Sequence, residues 1–265
     1  MAGSRISEIS GRIVSDLRAT VLDLRLTEEE LHAAARFLDR VGKAGEFADL
    51  IDIFLGSTSV IATRFGEGGT TPNLEGPYYK PGAPVRKDGR LFEDELDDRE
   101  TPLTVSGRVT DAVTGAAVQG AVLDVWQADS QGNYDEAGFH LRGLIPVNDD
   151  GSYVFHTALP EGYPIPARGP TTEFLGMIGQ QSWRPAHIHL RVHVGNATRL
   201  QTQVFIARSR FLDSDPVNAV HRDLVADHFA SPDQAGRVMR FDIRLALSGA
   251  RTFERGSGPR SAHTA

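Results

Sequence analysis

Cysteine is absent from all 265 residues of the chain. Disulfide bonds, thiolate metal sites and a cysteine nucleophile are therefore excluded. Any bound metal ion must be held by histidine, carboxylate, tyrosine or backbone oxygen. The missing residue type thus limits metal chemistry to nitrogen and oxygen donors.

The chain also lacks a block rich in lysine and arginine, and its net charge is −7. We therefore expect no nucleic-acid partner. The most apolar long stretch, residues 47–62, contains Asp49 and Asp52 and is too short and too charged to span a bilayer. The N-terminus has no apolar run of the signal-peptide type. These absences predict a cytoplasmic protein. The length of 265 residues with 40% hydrophobic residues predicts one large domain, or one core domain with an appendage.

Residues 1–65 are predicted to form a helical region. An apolar stripe with three- and four-residue steps is formed by Ile6, Ile9, Ile13, Leu17 and Val21. Thr27 and Glu30 predict a capping box at the start of a second helix, which Gly42 and Gly45 end. A third helix is predicted from its apolar residues Phe47, Leu50, Ile51, Phe54 and Leu55. Helices this short bury little surface alone, so they must pack on the rest of the chain or on a partner subunit.

The remainder is predicted to be mainly β. Residues 66–102 form an irregular segment because GEGGTTPNLEGPYYKPGAP is dense in glycine and proline, and this segment is either a linker or the cover of a site. Residues 103–248 alternate short apolar runs with turns, which is typical of an antiparallel β-sandwich. Strands are expected over 103–110, 121–128, 152–157, 187–194, 200–207 and 238–245. The tail, residues 249–265, is predicted to be flexible.

The sharpest local motif is WRPAHIHLRVHV at residues 183–194. On a strand, His187, His189, Arg191 and His193 share one face. Neighbouring histidines on that face have Cα atoms about 6–7 Å apart, so both can reach one metal ion. The pattern also fits the solvated face of an edge strand. Tyr134 and Tyr163 stand in turn-rich contexts, where each is either a packing residue or a ligand.

Together these segments resemble the intradiol ring-cleavage dioxygenases, in particular the catechol and hydroxyquinol 1,2-dioxygenase branch. The resemblance rests on LEGPYYKPGAP, GRVTDAVTGAAVQGAVLDVWQADSQGNYD, LPEGYPIP and WRPAHIHLRV, in this order. It implies a non-haem Fe(III) enzyme that inserts both atoms of O₂ into a catechol-type ring. The ring would open between the two hydroxylated carbons and give a cis,cis-muconate-type diacid.

The resemblance also implies roles for particular residues. Tyr134, Tyr163, His187 and His189 would be the iron ligands, and Tyr163 would also act as a base. Arg184 and Gln203 would stabilise negative charge. A bound cation lowers the pKa of tyrosine from its free value of about 10, so a tyrosine can bind as an anion. No second cofactor is implied, since GEGG at 66–69 lacks the strand and helix of a dinucleotide loop.

The resemblance places the substrate pocket at Leu50, Ile53, Leu74, Gly76, Pro77, Tyr78, Arg184, Pro216, Val217 and Asn218. A catechol is expected as substrate, because Ile53 stands where hydroxyquinol enzymes have an acidic residue. The neighbouring Asp52 is rotated by about 100° on a helix. Hydroxyquinol, which would give maleylacetate, is the alternative. A short stretch between Tyr134 and Tyr163 would open the pocket to substituted catechols.

The resemblance further implies a homodimer formed through the N-terminal helices, and it leaves open whether a phospholipid binds there. Two other readings of the residues remain. One is a cupin-like metalloenzyme that uses His187 and His189 with a carboxylate ligand. The other is a non-catalytic β-sandwich binding module, because GRVTDAVTGAAVQGAVLDVW alone is similar to adhesive or transthyretin-like domains.

Overall fold

Helices form the first part of the chain, and β-strands dominate the rest. The structure is a computed structural model that describes residues 2–64, 68–93, 95–165, 168–232 and 235–247. The helices are α1 (Ala2–Leu24), α2 (Glu28–Lys43), α3 (Phe47–Ile51), α4 (Ser57–Arg64) and α5 (Pro170–Met177). No helix within these ranges is both long and apolar enough to cross a membrane. The predicted tail, 249–265, lies outside the described residues.

The start of α2 follows the sequence prediction. The backbone N–H of Thr27 donates to Glu30 Oε2 at 2.7 Å, and the backbone N–H of Glu30 donates to Thr27 Oγ1 at 3.3 Å. The predicted capping box is therefore confirmed. The helix ends at Lys43, and Gly45 follows with a φ of 74°, a left-handed conformation that favours glycine.

The predicted third helix is confirmed as helical, but its winding changes within it. A π-helical turn, Asp52–Gly56, separates α3 from α4. Its wider winding changes which side chains face inward, so Ile53 is only 3% exposed while Phe47, Ile51 and Leu55 lie at the surface. Single π-helical turns occur frequently at functional sites, and this one places Ile53 against the sandwich core.

The strands are short and separated by turns, as predicted. They are β1 (Pro102–Asp111), β2 (Ala121–Gln127), β3 (Arg142–Pro146), β4 (Ser152–Ala158), β5 (Tyr163–Pro164), β6 (Trp183–Arg184), β7 (His187–Val194), β8 (Ala197–Ile206), β9 (Val225–Ala226), β10 (His228–Ala230), β11 (Arg237–Arg240) and β12 (Ile243–Leu245). Their apolar faces share one hydrophobic core with residues from both main sheets. The predicted β-sandwich with an N-terminal helical region is confirmed.

The sheets are mixed, so the prediction of a purely antiparallel sandwich is wrong. One sheet has the order β10-β11-β1-β12, with β4 also paired to β1, and the other has the order β3-β2-β7-β8-β9. Strand β1 runs parallel to β11 and β12, and β8 runs parallel to β9. These parallel pairs arise because the C-terminal strands return to the sandwich after long connections, whose direction turn residues do not reveal.

The strand predicted over 238–245 is in fact two strands. Between β11 and β12 the chain bends at Phe241, whose carbonyl oxygen approaches Gly107 so closely that a Cβ atom there would collide with it. The next residue, Asp242, accepts a hydrogen bond from the backbone N–H of Arg108 at 3.0 Å. A close backbone approach of this kind requires glycine, and it interrupts the ladder with β1.

Candidate active site

Two histidine side chains of β7 point to the same side of the sheet. Strand residues alternate between faces, so His187 and His189 share one face while Ile188 and Leu190 lie in the core. The two Nε2 atoms are 3.1 Å apart, and both side chains are buried. The predicted alternation is confirmed. The reading as a solvated edge strand is wrong, because β7 lies between β2 and β8.

Both predicted tyrosines reach this histidine pair from loops. Tyr163 begins β5, and the pairing of β5 with β6 sets it beside Arg184. The hydroxyl oxygen of Tyr163 lies 3.3 Å from Nε2 of His187. The hydroxyl oxygen of Tyr134 lies 3.1 Å from Nε2 of His189. These four side chains, Tyr134, Tyr163, His187 and His189, are called the Tyr–His cluster below.

A tight turn after β2 delivers Tyr134 to the cluster. Oδ1 of Asp129 accepts hydrogen bonds from the backbone N–H groups of Gln131 and Asn133 at 2.8 and 2.9 Å. Gly132 has a φ of 82°, and a Cβ atom there would lie 2.6 Å from the carbonyl oxygen of Gly162. Glycine at this position therefore lets the Tyr134 turn pack against the loop that carries Tyr163.

The histidines are held in their neutral form. Nδ1 of His187 donates to the carbonyl oxygen of Pro185 at 2.7 Å, so its Nε2 carries a lone pair directed into the cluster. Burial and the charge of Arg184 lower the pKa of His187 to about 3. Burial and the adjacent His187 hold the pKa of His189 well below its ordinary value. Neutral imidazole is the form that binds metal ions.

The phenol of Tyr134 stays protonated when no cation is bound. Burial raises the pKa of Tyr134 well above its usual range, and the nearby Tyr163 adds to the rise. Tyr78 stacks on the Tyr134 ring with centroids 4.3 Å apart, and burial also raises the pKa of Tyr78. A metal cation would reverse this balance, because its charge lowers the pKa of a coordinating oxygen.

The donor set of the cluster indicates which ion fits. Across the described part of the chain, no group of three or more His, Cys, Asp or Glu residues is placed to hold a metal ion. The cupin-like alternative needs a carboxylate in such a group and is not supported. Two phenols that ionise on binding and two neutral imidazoles suit a trivalent iron ion, because the anionic oxygens neutralise much of its charge.

Arg184 and Gln203 lie beside the cluster, as predicted. Arg184 Nη1 is 3.4 Å from Nε2 of His187, and Arg184 Nη2 donates to Gln203 Oε1 at 2.9 Å. Gln203 in turn donates through Nε2 to the carbonyl oxygen of Leu74 at 2.9 Å. The side chain of Gln203 thus connects the arginine to the glycine- and proline-rich segment.

That segment lies over the cluster. A Cβ atom on Gly76 would lie 3.2 Å from Cε1 of His189. Tyr78 contacts both tyrosines, stacked on Tyr134 and edge-on to Tyr163 with centroids 5.8 Å apart. Gly76 and Tyr78 therefore meet the cluster directly.

The other residues predicted for the substrate pocket occupy several environments. Ile53 and Val217 belong to the hydrophobic core, and Leu74 packs against it. The hydroxyl of Ser57 donates to the carbonyl oxygen of Val217 at 2.6 Å, which ties the helical region to that wall. Pro216 is buried, Leu50 is half-buried, and Pro77 and Asn218 are exposed. For these residues, substrate contact stays a prediction.

Gly76→Ala is expected to disturb the Tyr–His cluster through His189. Gly76 has a φ of 75°, so alanine is strained there, and its methyl group also pushes on the His189 ring. We expect turnover to fall by at least about 10-fold, since displacements below 1 Å matter at a reacting centre. Gly82→Ala is the matched control, with a φ of 87° and open space around its Cβ position. Metal content and turnover are measured for both variants. Equal losses in Gly76→Ala and Gly82→Ala would show that backbone strain alone, and not contact with His189, is responsible.

Sequence reasoning missed three residues that support the cluster. The Trp126 ring stacks on His189 with centroids 4.8 Å apart, because the register of β2 and β7 pairs these residues. Arg142 is buried and lies 5.6 Å from the centroid of the Tyr134 ring. Asp215 forms an ion pair with Arg184. The alternation of β2 predicts an inward-facing Trp126, but its partner depends on strand order, which local sequence does not reveal.

Two protein-family models match the chain and together span its helices and its sandwich. The model described as "Catechol dioxygenase N terminus" matches residues 3–64, and the model described as "Dioxygenase" matches residues 74–247. With the mixed sandwich and the Tyr–His cluster, these matches define the class as ring-cleaving dioxygenases. More particularly, the chain belongs to the intradiol dioxygenase family, as its motifs indicated.

Relatives match over nearly the whole chain. Chlorocatechol 1,2-dioxygenase from Pseudomonas putida is 35% identical over 246 residues, which cover 90% of this chain and 92% of that protein. 6-Chlorohydroxyquinol 1,2-dioxygenase from Cupriavidus pinatubonensis is 34% identical over 91% of each. The crystal structure of the Pseudomonas putida enzyme gives a TM-score of 0.82 at 34% identity and covers 91% of this chain and 98% of that one. The protein is therefore an intradiol ring-cleavage enzyme, and the reading as a non-catalytic binding module is wrong.

Proposed function

We propose that the Tyr–His cluster holds one non-haem Fe(III) ion and that the enzyme uses O₂ to open a catechol-type diol to a cis,cis-muconate-type diacid. The observation that carries this proposal is the convergence of four donor atoms. Successive contacts from Tyr163 through His187 and His189 to Tyr134 measure 3.3, 3.1 and 3.1 Å. The lone pair of His187 and the two ionisable phenols supply the donor chemistry that a ferric ion requires.

When bound, the ferric ion would draw electron density from the diol and so allow the ring to react with O₂. Tyr163 has two functions in this proposal, because its phenolate oxygen can hold the metal and can also accept a proton from the incoming diol. Arg184 directs Nη1 toward the cluster and stabilises negative charge that develops there. Gln203 contributes by fixing Arg184, since both polar ends of its side chain are engaged.

For the substrate, we favour a catechol with or without a ring substituent. The wall built from Ile53, Leu74 and Val217 is apolar, and apolar side chains form no hydrogen bond with a third ring hydroxyl. A chlorine or methyl substituent suits such a wall, because burying it removes apolar surface from water. The name of the Pseudomonas putida relative, a chlorocatechol 1,2-dioxygenase, agrees with this choice.

Hydroxyquinol is the second candidate, and one observation favours it. Burial raises the pKa of Tyr78, and the negative charges of its surroundings, Asp49 among them, add to the rise. The charge of Asp49 therefore acts on the Tyr78 ring, which stacks on Tyr134, and an acidic group in this region favours a substrate with a third hydroxyl. A relative named as a 6-chlorohydroxyquinol 1,2-dioxygenase matches 91% of this chain.

Colour and a substrate panel test the proposal. Iron-replete protein is expected to be deep red, because tyrosinate bound to Fe(III) absorbs visible light by charge transfer, and a colourless sample would contradict the ligand set. The panel comprises catechol, 4-substituted catechols, hydroxyquinol and protocatechuate, with metal-stripped protein as the control. We expect kcat/KM for a catechol to exceed that for hydroxyquinol by at least about 10-fold, which is the discrimination that pocket contacts of this kind provide. The reverse order would establish the second candidate.

The proposed assembly is a homodimer formed through the N-terminal helices. Apolar side chains at the surface of α1 and α2 include Ile6, Ile9, Ile13, Leu17, Leu31 and Leu38. Large exposed apolar patches commonly mark interfaces, and a second copy of the chain would remove this one from water. Such a surface would also suit the acyl chain of a phospholipid.

A further inference from the structure

Asp215 is a buried carboxylate that forms a bidentate ion pair with one edge of the Arg184 guanidinium group. The two residues are 6% and 5% exposed. Arg184 Nε donates to Asp215 Oδ1 at 3.1 Å, and Arg184 Nη2 donates to Asp215 Oδ2 at 3.1 Å. Two parallel hydrogen bonds of this kind fix both the position and the plane of a guanidinium group.

The ion pair with Asp215 also determines which nitrogen of Arg184 is left to face the Tyr–His cluster. The second hydrogen of Nη2 is used by Gln203 Oε1 at 2.9 Å. The hydrogens of Nε and Nη2 are therefore all engaged by Asp215 and Gln203, whereas Nη1 lies 3.4 Å from Nε2 of His187. Asp215 thus determines which edge of the guanidinium faces the reacting centre.

The same carboxylate also holds part of the predicted pocket wall. Oδ2 of Asp215 accepts a hydrogen bond from the backbone N–H of Ala219 at 3.1 Å. The carbonyl oxygen of Asp215 accepts one from the N–H of Asn218 at 3.0 Å, and Asn218 has a φ of 50°. The turn closed by these bonds contains Pro216 and Val217, so one side chain couples the wall to the position of Arg184.

Asp215 and Arg184 also balance each other's charge inside the protein. Burial alone raises the pKa of Asp215, but the charge and hydrogen bonds of Arg184 hold that pKa below its ordinary value. The pair is therefore ionised and has no net charge. Without the carboxylate, Arg184 would be a buried and unbalanced cation next to His187, an arrangement that is strongly unfavourable.

We infer that Asp215 is a positioning residue for ring cleavage, which holds Arg184 so that Nη1 faces the substrate and whose effect on kcat is exerted through Arg184. The inference rests on the proposed function of Arg184. It assigns to Asp215 no contact with the substrate or the metal.

A double-mutant cycle tests this inference. The variant Asp215→Asn keeps the size of the side chain but replaces one acceptor oxygen with a donor nitrogen. Its side chain therefore cannot accept both hydrogen bonds from Arg184. In the iron-loaded enzyme we expect kcat to fall about 10- to 100-fold, with a much smaller change in KM and with iron per chain unchanged. In an Arg184→Gln background the same change should alter kcat by less than about twofold.

The outcomes separate the two proposals. If Arg184→Gln alone leaves turnover unchanged, the proposed function of Arg184 fails. If Arg184→Gln slows turnover but Asp215→Asn does not, or slows it equally in both backgrounds, the inference about Asp215 is overturned. Asp227→Asn is the matched control, because Asp227 pairs with Arg208 at 2.9 Å on the surface, and its kcat should stay at the wild-type value. If Asp215→Asn does not accumulate as folded protein, Asp215→Glu replaces it. Its displaced carboxylate should lower kcat about 10-fold, and an unchanged kcat would overturn the inference.

Discussion

Phenylalanine in place of Tyr163 is expected to slow ring cleavage by about 10²- to 10⁴-fold, the contribution typical of a positioned general base. The substitution removes one oxygen and leaves three cluster donors, Tyr134, His187 and His189, so some iron should stay bound and turnover is expressed per bound iron. The phenol that would accept a proton from the incoming diol is absent from the variant. Turnover per bound iron, iron per chain and the visible absorption spectrum together measure the effect.

Tyr153→Phe is the control for this prediction. Tyr153 is also a buried tyrosine, but it lies on β4, and its hydroxyl donates to the carbonyl oxygen of Phe241 between β11 and β12 of the same sheet. Loss of that hydrogen bond should lower the free energy of unfolding by about 1 kcal/mol and leave turnover per iron unchanged. If Tyr163→Phe cleaves the ring at the wild-type rate, Tyr163 is neither the base nor an essential ligand.

The histidine part of the site could be predicted from local sequence alone. The two-residue alternation over residues 187–194 shows which side chains share a face, and the structure places His187 and His189 together as expected. Alternation did not show how far the shared face extends into the site. His193 lies on the same face but contacts Thr198 at 3.2 Å, so it stands outside the Tyr–His cluster.

The tyrosine part could be predicted only from the family resemblance. Tyr134 and Tyr163 are 29 residues apart; one lies in a turn and the other begins a two-residue strand, so no periodicity relates their side chains. Their meeting depends on Gly132, which lets one loop pack on the other, and on the pairing of β5 with β6. Both are tertiary features that local spacing does not reveal.

The features that prediction missed share this physical origin. The π-helical turn that buries Ile53 is set by packing against the sandwich core, since its sequence reads as ordinary helix. The parallel pairing of β1 with β11 joins residues more than 130 positions apart. Asp215 looks like any acidic loop residue until the fold brings Arg184 beside it.

Alanine in place of His187 is expected to remove the metal and, with it, the activity. The imidazole supplies the Nε2 lone pair that the Pro185 carbonyl fixes, and methyl offers no donor in its place. Loss of a residue that only supports a ligand already weakens metal affinity 10- to 100-fold, so loss of the ligand should weaken it by more than about 100-fold. Iron per chain after dialysis and the disappearance of the red colour measure this result.

His193→Ala separates metal binding from strand packing in this experiment. Both histidines lie on the same face of β7, but His193 contacts Thr198 rather than the tyrosines. Its removal should therefore leave iron content, colour and turnover at wild-type values. If His187→Ala also keeps its iron, His187 is not an essential ligand, although its Nε2 lies within the chain of contacts from Tyr163 to Tyr134.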